Sequence, residues 1–248
     1  MKTIAIIPAR FESQRLPGKV LKDLDGQSIL QRVYKQALEA NVFNEIFVAT
    51  DNDIVKLHCL EHQMLVVDTR SDHISGTDRI AEVAKSNDAD VVINIQGDEP
   101  FIEVENIKTL VDLMKEPEVK IGTLYKKMNN PESLFDYNTV KLVRDHRDKI
   151  LYFSRQAVPA QRDIPYKKWM NQTSYFQHIG LYGFKRETLL EIVDLPASNL
   201  ENLEKLEQLR WLENGYDIFG KEVVSSSFGI DTEEDLDRAR MLLTKMNH

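Results

Sequence analysis

Met1-Lys-Thr-Ile-Ala-Ile-Ile-Pro-Ala-Arg-Phe-Glu-Ser-Gln-Arg-Leu-Pro-Gly-Lys19 opens the chain. Ile4 to Ile7 is a short apolar run of the kind that forms a strand buried on both faces. Pro8 closes it, and the loop that follows carries Arg10, Ser13, Arg15, Gly18 and Lys19. In open α/β sheets, ligands sit beyond the carboxyl ends of the strands. Cations and a hydroxyl placed there suit a polyanion such as a nucleoside triphosphate, and a glycine lets backbone N–H groups approach it closely. Composition alone allows a second reading, an exposed basic loop that only aids solubility. Neither common phosphate loop is present: Val20 follows Gly18-Lys19 where a Walker A motif needs Ser or Thr, and G-x-G-x-x-G is absent.

Outward from this loop, strands and helices alternate over the first hundred residues. Ser28 precedes a helix to Ala40, and Glu45–Thr50 reads as a strand. Asp51 or Asn52 caps a helix through about Gln63, Met64–Asp68 is a strand, and Gly76 opens a helix through Lys85. Asp90–Gln96 is a further apolar strand and Glu103–Lys115 a helix. Apolar strands between helices predict an α/β fold, a mostly parallel sheet flanked by helices. The second half predicts strands at 121–128, 139–145, 149–153, 176–184 and 216–223. A hairpin turn falls at 145–148, a mobile loop at 156–175, and helices at 186–193, 200–214 and from about 233 to 246. One domain over 1–248, with a smaller inserted β-rich lobe at about 125–180, is the economical organisation.

Bulk properties narrow the function classes. The 248 residues are 42% hydrophobic and 29% charged, with net charge −8. That balance argues against broad nucleic-acid binding, which needs a basic face. No apolar run approaches the length of a membrane span, and no signal-peptide pattern follows Met1. The single cysteine, Cys59, reads as a core residue, and a cytoplasmic location fits. No metal-spaced His/Cys cluster is expected, nor a Ser-His-Asp nucleophile.

Carboxylates carry the remaining chemistry. Gln96-Gly-Asp98-Glu-Pro100 follows the fourth strand. Asp98 is either part of a turn or a ligand for Mg²⁺, which takes one or two protein carboxylates and completes its shell with water and phosphate oxygens. Asp231, before Thr-Glu-Glu, is either a helix N-cap or a partner of Asp98. Arg79, in His73-Ile-Ser-Gly-Thr-Asp-Arg79, either holds a carboxylate or phosphate, or charges an exposed helix face. A lone His178 on a strand is more often structural than a ligand.

Seven segments in order resemble one family: Pro-Ala-Arg-x-x-Ser-x-Arg-Leu-Pro-Gly-Lys (8–19), His-x-Ser-Gly-Thr-Asp-Arg (73–79), Asn-Ile-Gln-Gly-Asp-Glu-Pro (94–100), Tyr-Phe-Ser-Arg (152–155), His-Ile-Gly-Leu-Tyr (178–182), Leu-Glu-Gln-Leu-Arg (206–210) and Gly-Ile-Asp-Thr-Glu-Glu-Asp-Leu (229–236). Jointly they resemble the 3-deoxy-D-manno-octulosonate (Kdo) cytidylyltransferases, or CMP-Kdo synthetases. The resemblance implies a Rossmann-like nucleotidyltransferase fold, a homodimer and the reaction of CTP with Kdo to CMP-Kdo and pyrophosphate, for lipopolysaccharide synthesis. It places Pro8, Ala9 and Arg10 against the cytidine, and Ser13, Arg15 and Lys19 on the triphosphate. Asp98 and Asp231 would carry Mg²⁺. Arg79, Gln96, Arg155, His178, Tyr182, Glu207 and Gln208 would shape the sugar-acid pocket, and the catalytic residues would be Lys19, Asp98 and Asp231. Val20 departs from the proline that often follows Pro-Gly-Lys. The 8-amino analogue of Kdo is the alternative substrate. A non-catalytic nucleotide-binding module, and a D-x-D glycosyltransferase using Asp51/Asp53 or Asp88/Asp90, are the competing classes.

Overall fold

The computed structural model describes residues 1–13, 15–225 and 228–246; Gln14, inside the first motif, lies outside them. In chain order the elements are β1 (Thr3–Pro8), a hairpin of β2 (Asp23–Leu24) and β3 (Gln27–Ser28), α1 (Ile29–Ala40), β4 (Glu45–Thr50), α2 (Asp53–Glu61), β5 (Val66–Asp68), α3 (Gly76–Lys85), β6 (Val91–Asn94) and α4 (Val104–Leu113). Then come β7 (Ile121–Lys127), α5 (Pro131–Phe135), β8 (Lys141–Arg144), β9 (Ile150–Ser154), α6 (Trp169–Gln172), β10 (Phe176–Lys185), α7 (Arg186–Ile192), α8 (Asn199–Glu204), α9 (Gln208–Glu213), β11 (Ile218–Glu222) and α10 (Glu233–Met246).

One sheet organises them, in the order β11-β7-β10-β6-β1-β4-β5. Pairing is parallel throughout except around β10, which runs antiparallel to both β6 and β7. The first strand shows why its sequence has no polar alternation. Ala5 and Ile7 face one core layer with α1, α2 and α4, while Ile4 and Ile6 face the other with α3, α7 and α9. Cys59 lies in the first layer, and burial pushes its thiol up to about 11. Within 125–180, the β8–β9 hairpin pairs with the first residues of β10, so these strands extend the main sheet.

Most element bounds agree with the sequence pattern to within two residues, because capping residues mark them. Ser28 and Asp78 complete capping boxes at α1 and α3, and Asn52 caps α2 through Ile54 and Val55. Two expectations differ. The helix predicted over 200–214 is two helices, broken at Lys205, whose φ of +52° is left-handed. The stretch at 156–175 is not structureless. It contains α6, and Trp169 stacks on Tyr175, whose hydroxyl donates to the Pro159 carbonyl at 2.8 Å.

Candidate active site

The carboxyl ends of β1, β4 and β6 open on one side of the sheet, and the expected nucleotide loop starts there. Ala9 donates to the Ala49 carbonyl at 2.9 Å, which fixes the first step out of β1 against β4. The loop then folds back. Gly18 donates to the Phe11 carbonyl and adopts φ +65°, with the Phe11 ring against it; a Cβ there would be both strained and crowded. This return places Lys19 at the start of a 3₁₀ turn facing the end of β6.

Lys19 is where two distant parts of the chain meet. Its ammonium donates to Asp98 Oδ2 at 2.5 Å and to Asp231 Oδ1 at 2.7 Å, with only 15% of the side chain exposed. Arg15 Nη2 reaches the other Asp231 oxygen at 2.8 Å. Burial pulls the Lys19 ammonium down, but the two carboxylates outweigh it and its pKa ends above the ordinary value. Burial likewise opposes ionisation of Asp231, and Lys19 and Arg15 overcome it, leaving that carboxyl below its usual range.

Backbone packing builds this meeting point. Gly97 crosses so close to β1 that a Cβ would stand 2.8 Å from the Pro8 carbonyl oxygen. Ile230 donates to the Asp98 carbonyl at 2.9 Å, tying the second acid's loop to the first. The alternative role of Asp231 as helix cap is taken by its neighbour. Thr232 Oγ1 accepts from the Asp235 N–H, and the Asp235 carboxylate accepts from the Thr232 N–H at 3.0 Å. The Asp231 side chain is thereby left to the cations.

Beside this cluster lies a cleft of about 790 Å³ lined by Arg10, Ser13, Asp51, Asn52, His73 and Arg79, among others. Arg10 Nη2 donates to the His73 carbonyl at 2.9 Å. Burial and the neighbouring Arg79 pull Arg10 below its ordinary pKa, so two guanidiniums crowd one opening. Arg79 does not charge an exposed helix face: it is 1% exposed, bonded to Thr69 Oγ1 at 2.5 Å and Asp51 Oδ1 at 3.1 Å, and its Nε has no hydrogen-bond partner among the described residues. Asp51 and Thr69 were not among the expected site residues. Asp51 directly follows β4, and the strand-end rule that singled out Asp98 applies equally to it; the helix-start pattern of Asp51-Asn-Asp masked that signal.

The expected sugar-acid residues divide into two groups. Glu207, the residue before α9, accepts from Thr77 Oγ1 at 2.6 Å, and burial raises its pKa. Tyr182 is 7% exposed, its hydroxyl has no hydrogen-bond partner among the described residues, and burial plus the charge of Glu207 push its pKa far up. It lies opposite Asn94 of β6, whose buried Oδ1 is also unpartnered and which the sequence did not single out. His178 packs between the Phe153 and Tyr182 rings, with Nε2 3.0 Å from Thr123 Oγ1; burial pushes it down to about 3. Gln96 follows the end of β6, and Gln208 is buried at the start of α9.

Arg155 is placed differently. Its Nε and Nη2 donate to the carbonyls of Glu204 and Lys205, and Nη1 to that of Tyr137. In return, Glu204 accepts from Ser154 Oγ and the Arg155 N–H. The Tyr-Phe-Ser-Arg segment therefore closes the carboxyl end of α8 and holds the turn that presents Glu207.

Comparison with known proteins covers the whole chain. The cytidylyltransferase family model matches residues 4–243. The chain is 44% identical to the 3-deoxy-manno-octulosonate cytidylyltransferase of Solibacter usitatus over 97% of this chain and 94% of that one. It is 42% identical to that of Koribacter versatilis over 100% and 92%. A solved structure of CMP:2-keto-3-deoxy-manno-octonic acid synthetase complexed with CTP superimposes with a TM-score of 0.93 at 36% identity, covering 99% of this chain and all of the other. A 4-diphosphocytidyl-2C-methyl-D-erythritol synthase from Anaerococcus prevotii, at 14% identity and TM-score 0.64, shares the fold. With its strand-end acids, basic loop and full-length similarity, the chain belongs to the 3-deoxy-manno-octulosonate cytidylyltransferase family.

Proposed function

We propose that the protein transfers the cytidylyl group of CTP to 3-deoxy-manno-octulosonate. The anomeric hydroxyl oxygen bonds to the α-phosphorus, the bond from that phosphorus to the bridging oxygen breaks, and pyrophosphate leaves; the hydroxyl proton passes to solvent. The family and the CTP-bound structural neighbour support the reaction. The observation that carries the site assignment is the shared grip of Asp98 and Asp231 on one ammonium.

That grip is also a test of fit for Mg²⁺. Two hard oxygen donors already converge on a cation, and magnesium sites need one or two carboxylates completed by water and phosphate. Asp98 and Asp231 would hold it. Bound there, the metal would lower the pKa of an attacking hydroxyl and offset charge on the phosphates. The protein's own residues supply alignment and charge. Lys19 and Arg15 would meet the charge of the triphosphate, Arg10 and Ser13 line the cleft, and Tyr182, whose hydroxyl has no hydrogen-bond partner among the described residues, and Glu207, held by Thr77, would offer polar groups to the sugar acid. Nucleotidyl transfer depends on such positioning more than on covalent help from the protein.

The resemblance extends this reading to a homodimer in the cytoplasm supplying lipopolysaccharide synthesis, and sedimentation of the purified chain tests the dimer. The reaction is tested by pyrophosphate release with CTP, Mg²⁺ and either Kdo or its 8-amino analogue. Release only when all three components are present supports the assignment, and the ratio of the two kcat/KM values identifies the sugar. CTP binding without turnover on either sugar contradicts it.

A further inference from the structure

The last turn of α2 reads His58-Cys-Leu-Glu61-His62. Residues three and four apart share one face of a helix. Here one ligand atom from each of His58, Glu61 and His62 lies within 4.8 Å of the others. No metal-spaced His/Cys cluster is expected from the sequence; the i, i+4 pair His58/His62 lies in a segment whose pattern reads only as core helix. Glu61 and His62 are exposed next to the exposed Leu57 and Leu60, while Cys59, between His58 and Glu61, turns into the core.

A second, independent contact prepares this face. His58 Nε2 lies 2.8 Å from Ser28 Oγ, the hydroxyl that caps α1. That oxygen already accepts from the Gln31 N–H. In the tautomer whose Nε2–H donates to its remaining lone pair, Nδ1 is unprotonated and free to serve as the ligand. Metal-bound imidazoles are oriented in this way, by a hydrogen bond from the nitrogen that does not ligate. The carbonyl end of α2 adds a partial negative charge at the same place.

We propose that His58, Glu61 and His62 form a surface site for Zn²⁺, with water as fourth ligand, distinct from the Asp98/Asp231 pair. Two imidazoles and one carboxylate match zinc, whereas magnesium and calcium favour all-oxygen shells. Ligand atoms stand about 3.3 Å apart across tetrahedral zinc. Closing from 4.8 Å takes a rotamer adjustment by two exposed side chains. Such a site would join the end of α2 to the start of α1, while Asn52 at the other end of α2 lines the cleft.

Titration of the metal-free full chain with Zn²⁺ against a chromophoric chelator tests this, with Co²⁺ absorption reporting tetrahedral ligation. His62→Ala and Glu61→Gln each should weaken one zinc equivalent by at least about tenfold and remove the Co²⁺ bands, since loss of even an outer-shell partner costs that much. Asp98→Asn should leave that equivalent intact. No zinc binding, equal affinity in wild type and His62→Ala, or loss only in Asp98→Asn overturns the proposal; the first two leave the cytidylyl-transfer reading untouched, and the third would place the metal at the Asp98/Asp231 pair instead.

Discussion

Ile230 donates its backbone N–H to the carbonyl of Asp98 at 2.9 Å, and this bond locks the loop bearing Asp231 onto the end of the strand bearing Asp98. The two acids are more than half the chain apart in sequence, yet their positions are set by main chain. Mutations that spare this framework should therefore separate chemistry from folding.

Asp98→Asn keeps the shape and removes the charge. CTP should still bind, while turnover should fall by orders of magnitude. Equilibrium binding of CTP alongside steady-state pyrophosphate release checks both, and near-normal kcat removes the metal assignment.

Lys19→Ala takes away a cation bonded to both acids. The KM for CTP should rise and kcat should fall together, because the same charge meets the ground-state triphosphate and the leaving pyrophosphate. A change in KM alone would limit Lys19 to binding.

Thr232 and Asp231 should respond in opposite ways. Thr232→Ala removes the cap of α10 and should cost about 1 kcal/mol of stability with little change in kcat. Asp231→Asn should lower kcat and leave the cap in place. Urea unfolding and turnover of both variants check the division of labour.

Gly97→Ala would set a methyl 2.8 Å from the Pro8 carbonyl oxygen, against backbone that has no room to move aside. Displacement of the neighbouring Asp98 should then lower kcat by up to about 100-fold, as misplacement by 1 Å can. Wild-type activity in this variant would show that β1 and β6 tolerate separation.

His178 gives a pH prediction with a definite sign. Its folded pKa lies near 3 against an ordinary 6.5, so between those values the unfolded chain binds more protons. Its contribution is complete above pH 6.5 and is lost as pH falls toward 3, by at most about 1.4 kcal/mol per pH unit. Between pH 7 and 4.5, wild type should lose more stability than His178→Gln; equal losses would contradict a neutral imidazole held between the Phe153 and Tyr182 rings.

Local signals made most of the fold legible. Ser28 and Asn52 mark helix starts by capping, and the apolar runs at β1 and β6 mark strands that are covered twice. Lys205 was not legible, because its left-handed conformation depends on Arg155 holding the carbonyls of 204 and 205 from another part of the chain. The same holds for the site. Asp98 stood out by following a strand, but the pairing of Arg79 with Asp51 and Thr69 is tertiary, and no spacing within either segment encodes it.

The central claim is that Asp98 and Asp231 form one divalent-cation site beside Lys19. Crystals of the protein grown with CTP and Mn²⁺, measured at the manganese absorption edge, test it most directly. The account predicts an anomalous peak within ligand distance of both carboxylates. A peak that touches neither acid, with CTP bound in the cleft, would contradict it.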